Sequence, residues 1–450
     1  MIFKSINPFS QEIITEYEIL SDQALTIKLQ LAETAFKTWK QTSFVERADK
    51  MIKLASILRF QKERLAQLIT LEMGKVYEES LAEIEKSALN CEYYAAKAEQ
   101  MLQSIAHETV YNSYTMYDPM GAVFAIMPWN YPFWQVLRYA APVIMSGNIT
   151  LLKHAPNVVG CAQAIEDIFL EAGFPQGVFQ QLNIDIPQVE SIIASNIVCG
   201  VTLTGSEMAG SSVGALAGKH IKKAVMELGG SDALIVLNDA DIEQAATIAV
   251  QSRMLNAGQA CICAKRFIVT DSIADDFVAL LSHKISGLTQ GNPMQKGIFM
   301  GPLARLDLAD NLALQLEKSV EQGAKLIVGG SRDGCNFQPT LIDNVPEDSV
   351  AFQEETFGPL ACVSRVANEE DAIALANKHR YGLAASIWTK DVDRAMYLAR
   401  KIESGNVFIN SLVKSDSRVP FGGVKKSGYG RELGTEGIKE FMNSKSIVVG

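Results

Sequence analysis

Gly121-Ala-Val-Phe-Ala-Ile-Met-Pro128 is apolar from end to end and closed by a proline. So short a run with no polar break reads as a strand buried on both faces, as in a parallel sheet. Directly after it, over residues 131–145, the apolar positions take helical spacing. The same pair of signals then returns: Asn148-Ile-Thr-Leu-Leu-Lys153 is a second strand, with a helix running to about residue 171. Residues 178–184, 200–205 and 222–228 continue the alternation, and a further series opens at 233–237, passes through 264–270 and ends near Trp388. Alternation of this kind builds doubly wound parallel sheets covered by helices, so the chain reads as α/β with two such domains.

Upstream, the first hundred residues read as helical. Ser43 and Glu46 form a capping box before an amphipathic run that stops near Gly74, and residues 78–101 are a further helix. A β-rich patch at 109–118 separates these helices from the alternating region. At 450 residues, with 48% hydrophobic and 20% charged, the chain has the composition of a globular protein of two or three domains. Its formal charge of -10 disfavours nucleic acid and anionic membrane as partners. The most apolar helical stretch, 136–145, is too short to span a bilayer and contains Arg138, and MIFKSINPFS has no signal-peptide core, so a cytoplasmic protein is expected. Seven irregularly spaced cysteines do not form a disulfide framework, and no His–Cys–carboxylate spacing suits a metal, so none is expected.

The turn Thr204-Gly205-Ser206 joins a strand to a helix start, where a backbone open to close approach and a helix N-terminus suit a pyrophosphate. The spacing is not G-x-G-x-x-G, and an ordinary strand-to-helix turn explains it equally well. Lys153 stands at the end of its strand, on the edge where open α/β sheets bind ligands. Gly210-Ser-Ser212-Val-Gly214 matches G-x-S-x-G, but Ser212 falls inside the expected helix rather than on a strand-end turn, so it is not read as a nucleophile.

Five further segments act together: Pro128-Trp129-Asn130-Tyr131-Pro132, Met226-Glu227-Leu228-Gly229-Gly230, Asn256-Ala-Gly258-Gln259-Ala260-Cys261, Glu354-Glu355-Thr-Phe357-Gly358-Pro359 and Pro420-Phe421-Gly422-Gly423 through Gly428. In this order and at these separations they resemble the aldehyde dehydrogenase superfamily across essentially the whole chain, and its bacterial succinate-semialdehyde dehydrogenases in particular. The resemblance implies a Rossmann-type dinucleotide-binding domain (1–108 and 119–228), an α/β catalytic domain (229–428) and a small β oligomerisation element (109–118 and 429–450). A homodimer or homotetramer is expected. It implies Cys261 as the nucleophile, Asn130 as oxyanion donor and Glu227 as the base that activates water. Glu227 follows an apolar strand, a setting that desolvates a carboxylate and raises its pKa. It further implies that Glu355 holds the nicotinamide ribose beside Phe357, that Lys153 meets the adenine ribose and Ser206 the pyrophosphate after Gly205, and that Ile126 and Trp129 wall the cofactor cleft.

Arg138 lies on the helix expected to line the substrate funnel, with no carboxylate near it in sequence. By resemblance it binds the carboxylate of succinate semialdehyde, with Trp134 as an apolar wall and Ser417 as a further contact. Some relatives carry a second arginine where this chain has Leu255, which weakens a two-arginine clamp. The cofactor reads as NAD or NADP. Pro156 neither bonds a ribose hydroxyl nor pairs with a phosphate, and the absence of a second cation near Lys153 leans the choice toward NAD. Cys263 is either a redox partner of Cys261 or a buried thiol. Rival readings are another small aldehyde, a thiol esterase without net redox chemistry, a fold without activity, or a coenzyme-A-acylating enzyme, against which the presence of Glu227 argues.

Overall fold

The computed structural model describes residues 2–450. Its six-stranded sheet runs in the order Gly428–Tyr429, Lys223–Glu227, Val198–Thr204, Ala122–Met127, Ile149–His154, Phe179–Gln181. All pairs are parallel except the edge strand Gly428–Tyr429, which arrives from the far end of the chain and runs antiparallel to Lys223–Glu227. The chain enters at Ala122–Met127, steps outward twice, then returns to the other side of its first strand. The crevice beyond the carboxyl ends of Ala122–Met127 and Val198–Thr204 is therefore a topological switch point, where such sheets bind ligands.

The helix Trp134–Met145 is buried at every position, which follows from its place between the sheet and the preceding helix, Tyr77–Met101. That long helix buries Ser80, Glu83, Ile84, Ser87, Ala88, Cys91, Tyr94 and Ala98, spaced three and four apart as one stripe demands. Trp134–Met145 starts three residues later than its spacing suggests. The reason is not local: the carboxylate of Glu83, from the neighbouring helix, accepts the backbone N–H groups of Phe133 (2.8 Å) and Trp134 (3.0 Å) and so caps the new helix from outside.

The second, seven-stranded sheet has the order Lys325–Val328, Thr340–Asp343, Leu360–Val366, Ala264–Thr270, Asp232–Val236, Ala384–Trp388, Asn406–Ile409, parallel but for its first pair. A third sheet, antiparallel, joins Ile105–Glu108 and Asn112–Pro119 to the C-terminal strand Met442–Val449, in register from Met442 opposite Pro119 to Val449 opposite Asn112.

The N-terminus departs from the helical expectation. Ile2–Ile6 and Ile13–Glu18 form a two-stranded antiparallel ribbon before the first helix, Asp22–Trp39. Most of its residues are exposed on both faces, so no apolar alternation marked it as sheet. Ser43 does cap the helix Phe44–Phe60 by accepting the N–H of Glu46 (3.1 Å), and Gly74 ends the helix Lys62–Met73 in the left-handed region at φ 82°. Ser212 lies exposed within the helix Glu207–Lys219, away from any strand-end turn.

Candidate active site

Cys261 sits on a loop whose shape is imposed from several sides. After the helix Ile242–Met254, three consecutive residues, Asn256, Ala257 and Gly258, take left-handed conformations with φ of 51°, 52° and 73°. For the two that carry a Cβ this is unfavourable by about 1–2 kcal/mol each, so the surroundings must hold the turn. Glu79 accepts the backbone N–H of Asn256 (2.9 Å), and the side chain of Asn256 donates to the carbonyl of Asn130 (2.9 Å). Gly258 abuts the carbonyl of Gly358 so closely that a side-chain carbon would collide with it. Beyond the turn, the fully buried ammonium of Lys265 donates to the carbonyls of Ala260 (3.1 Å), Cys261 (3.0 Å) and Cys263 (3.3 Å). The loop that presents the thiol is thus pinned by helix Tyr77–Met101, by the Asn130 segment and by the base of strand Ala264–Thr270.

The thiol of Cys261 is half-buried and opens on two cavities. Burial pushes it up to about 12, against the pull of Arg138 and Lys265. Asn130 borders both cavities as well, and its amide donates to the carbonyl of Gln259 (2.9 Å), which holds the side chain beside the loop.

One cavity lies at the switch point. It is bordered by Trp129, Asn130, Thr204, Gly205, Ser206, Cys261, Glu355 and Phe357. Trp129 and Phe357 meet edge to face with ring centroids 5.7 Å apart. Ser206 caps the thirteen-residue helix Glu207–Lys219 by accepting the N–H of Ala209 (3.2 Å), and a Cβ at Gly205 would meet only ordinary contacts, with Leu203 at 3.5 Å and Ala209 at 4.0 Å. Glu355 accepts the N–H of Gly230 (3.0 Å) and stands 3.6 Å from the Lys265 ammonium. Gly229 is needed because a Cβ there would press on the Glu355 carboxylate. A helix N-terminus with open backbone, aromatic walls and a fixed carboxylate fit the pyrophosphate, ring and ribose of a dinucleotide. Ile126 and Lys153 are register partners on adjacent strands, beyond the residues that border this cavity.

The other cavity, about 210 Å³, is bordered by Lys86, Asn130, Trp134, Arg138, Cys261, Cys263 and Ser415, among others. It is smaller than the roughly 300–1,000 Å³ of sites for drug-sized ligands, so it takes a small molecule. Arg138, with no carboxylate near it in sequence, is given one by the fold. It forms a buried ion pair with Glu432, donates to Thr204 Oγ1 (3.3 Å) and lies 5.4 Å from the Phe421 ring centre. Ser417 is not brought to the cavity: its hydroxyl donates to Asn90 Oδ1 (2.6 Å), and Ser415, two residues earlier, borders the space instead. Cys263 is buried, its sulfur 3.8 Å from the Leu255 carbonyl oxygen.

Glu227 ends the strand Lys223–Glu227 and borders neither cavity. It is 3% exposed, and among the described residues its Oε1 has no hydrogen-bond partner. Burial, and then the nearby Glu432 carboxylate, hold its carboxyl well above the usual carboxylate range, while Arg138 and Arg431 oppose them.

A model of the family described as the aldehyde dehydrogenase family matches residues 1–447. The chain belongs to the aldehyde dehydrogenase family. It is 44% identical to the succinate semialdehyde dehydrogenase (NAD(P)+) Sad of Escherichia coli K12 over 98% of this chain and 97% of that one. It is 41% identical to a succinate-semialdehyde dehydrogenase (NADP(+)) of Mycobacterium tuberculosis over 99% of both chains. Among solved structures, succinic semialdehyde dehydrogenase from Streptococcus pyogenes in complex with NADP+ superposes with a TM-score of 0.98 at 37% identity, covering 99% of each chain. This family member is an NAD(P)-dependent oxidoreductase. The lean toward NAD finds no support in these relatives, whose names carry NADP(+) or NAD(P)+. The physical flaw in that lean is that Pro156, although no ligand, also places no carboxylate where a 2′-phosphate would be repelled.

The motifs led to the residues around the switch-point cleft, but Lys265, Glu79 and Glu432 escaped sequence reading. Lys265 stands only four residues after Cys261, and the pair Lys265-Arg266 at the start of a strand whose next residues, Phe267, Ile268 and Val269, are apolar was a usable signal. No local signal ties Glu432 to Arg138 or Glu79 to Asn256, since each pair joins remote segments.

Proposed function

We propose that the enzyme oxidises succinate semialdehyde to succinate with NADP, or with either dinucleotide, through a covalent intermediate on Cys261. The single observation that carries the reading is that Cys261 and Asn130 stand at the junction of a dinucleotide-shaped cleft and a small, cation-bearing cavity. The names of the relatives support the choice of aldehyde.

In this reading the Cys261 thiolate adds to the aldehyde carbon. The oxyanion of the resulting thiohemiacetal is stabilised by the Asn130 amide and the backbone N–H of Cys261. A bound dinucleotide would supply the acceptor for the hydride of the thiohemiacetal carbon. Trp129, Ser206, Glu355 and Phe357 would hold it, with Lys153 directed to the adenine ribose. The product of that step is a thioester on Cys261. Glu227, once ionised and turned toward the thioester, takes a proton from water, and the hydroxide so formed adds to the thioester carbon, releasing the acid and returning Cys261 to the thiolate. A desolvated carboxylate with a raised pKa is a stronger base than a solvated one and is suited to that task.

The test is the near-ultraviolet absorbance of reduced nicotinamide when the protein meets succinate semialdehyde with NADP or NAD. A rise that is lost in Cys261→Ala is expected. A rise with uncharged aldehydes only would overturn the substrate, and silence with every aldehyde would overturn the reaction.

A further inference from the structure

We infer that Lys86 is the anchor for the far carboxylate of the aldehyde substrate, in place of the arginine that sequence reading singles out. The inference rests on the proposed oxidation of a short aldehyde acid and assigns its specificity to a residue outside all five motifs.

Three cations border the small cavity: Lys86, Arg138 and Lys414. Arg138 is neutralised by Glu432, and Lys414 is exposed. Lys86 is half-buried on helix Tyr77–Met101, its ammonium 4.0 Å from the centre of the Trp134 ring and 2.9 Å from Ser415 Oγ, which accepts from it. Among the described residues, no carboxylate forms an ion pair with it. Those around it are engaged elsewhere. Glu83, one turn earlier, binds Lys75 and the N–H groups of Phe133 and Trp134. Glu85 pairs with Arg59 and Lys62, and Asp416 with Arg418.

A desolvated ammonium satisfied only by a hydroxyl and an aromatic face is an incomplete site. Burial lowers the group to about 8, with Arg138 and Lys414 pushing the same way and the engaged Glu83 and Asp416 compensating only in part. A carboxylate entering the cavity supplies the missing partner: it accepts from the ammonium, while Trp134 fixes the lysine stem and Ser415 offers a second polar contact. The aldehyde at the other end of the molecule then faces Cys261, which borders the same space. Arg138 adds positive potential, but its guanidinium is already held by Glu432.

The experiment compares kcat/KM for succinate semialdehyde with kcat/KM for butanal, which has the same carbon chain and no carboxylate, in wild type, Lys86→Met, Lys86→Gln and Lys86→Arg. The ratio of the two cancels any general loss of folded enzyme. A wild-type ratio well above one, lowered at least about ten-fold in Lys86→Met through KM and largely kept in Lys86→Arg, is expected. Lys86→Gln gives the same reading should the methionine variant not fold. A large wild-type ratio unchanged in both neutral variants overturns the anchor and leaves the substrate standing. The anchor is equally overturned if the ratio survives at Lys86 and collapses only in Arg138→Leu/Glu432→Leu. A wild-type ratio near one overturns the substrate itself.

Discussion

The two cavities that meet at Cys261 are built in different ways. The switch-point cleft is made largely of strand-end turns and the residues next to them: Trp129 and Asn130 after one strand, Gly205 and Ser206 after another, Leu228 and Gly229 after a third. The small cavity is made of side chains from the faces of two helices, Tyr77–Met101 and Trp134–Met145, closed by the loops containing Cys261 and Ser415. Turns are written in contiguous residues, whereas helix faces acquire partners only on packing. The first region is therefore the part of the site open to motif reading, and the second is where the Arg138–Glu432 pair and Lys86 went unseen.

The strongest test of this contrast is at the residue both regions share. Cys261→Ala is expected to lower aldehyde-dependent nicotinamide reduction roughly 10³-fold or more, because no other thiol borders both cavities. Residual turnover near wild type would place the nucleophile elsewhere.

Next in size, Glu227→Gln is expected to slow steady-state turnover by roughly 10²-fold or more while leaving one rapid burst of reduced nicotinamide per active site, since only thioester hydrolysis needs the base. The sign of the pH dependence follows from its raised pKa. The ionised form is the base, so hydrolysis quickens as pH rises through that pKa, and this rising limb should be missing in Glu227→Gln. Stopped-flow absorbance across pH checks both; a variant without a burst would move Glu227 to an earlier step.

On the small-cavity side, Arg138→Leu leaves the Glu432 carboxylate buried without its partner and is expected to lower unfolding free energy by roughly 3–5 kcal/mol. Adding Glu432→Leu should recover most of the loss. Denaturant unfolding of both variants decides, and an unchanged midpoint in the single variant would mean that the pair does not hold the cavity together.

For the loop between the regions, Gly258→Ala combines a left-handed backbone with a collision against Gly358, and a loss of about 3 kcal/mol is expected in the same measurement. The smallest effect is expected from Ser417→Ala. Its hydroxyl serves Asn90, so KM for succinate semialdehyde should change less than roughly two-fold. A change approaching that of Ser415→Ala would return Ser417 to the substrate.

Similar physics separates what was legible in the fold. The strand Ala122–Met127 and the end of the helix Val159–Glu171 stand where the pattern places them, because an apolar run closed by a proline and a helical spacing depend on their own residues. The ribbon of Ile2–Ile6 with Ile13–Glu18 was not legible, because strands exposed on both faces carry no alternation. The late start of Trp134–Met145 was not legible either, because its cap comes from Glu83 on another helix.

By itself the sequence determined the α/β alternation, the family, and the identity of Cys261, Asn130, Glu227 and Glu355 as a joint pattern. The alternation follows from local periodicity, whereas the family and those four residues follow from the resemblance carried by five linked motifs. Only the tertiary structure decided which charges are paired. Glu432 meets Arg138, Glu79 meets the Asn256 turn, and Lys86 forms no ion pair among the described residues. Burial makes pairing obligatory for a charge, but the partner is whatever the fold brings alongside, and distance along the chain carries no record of it.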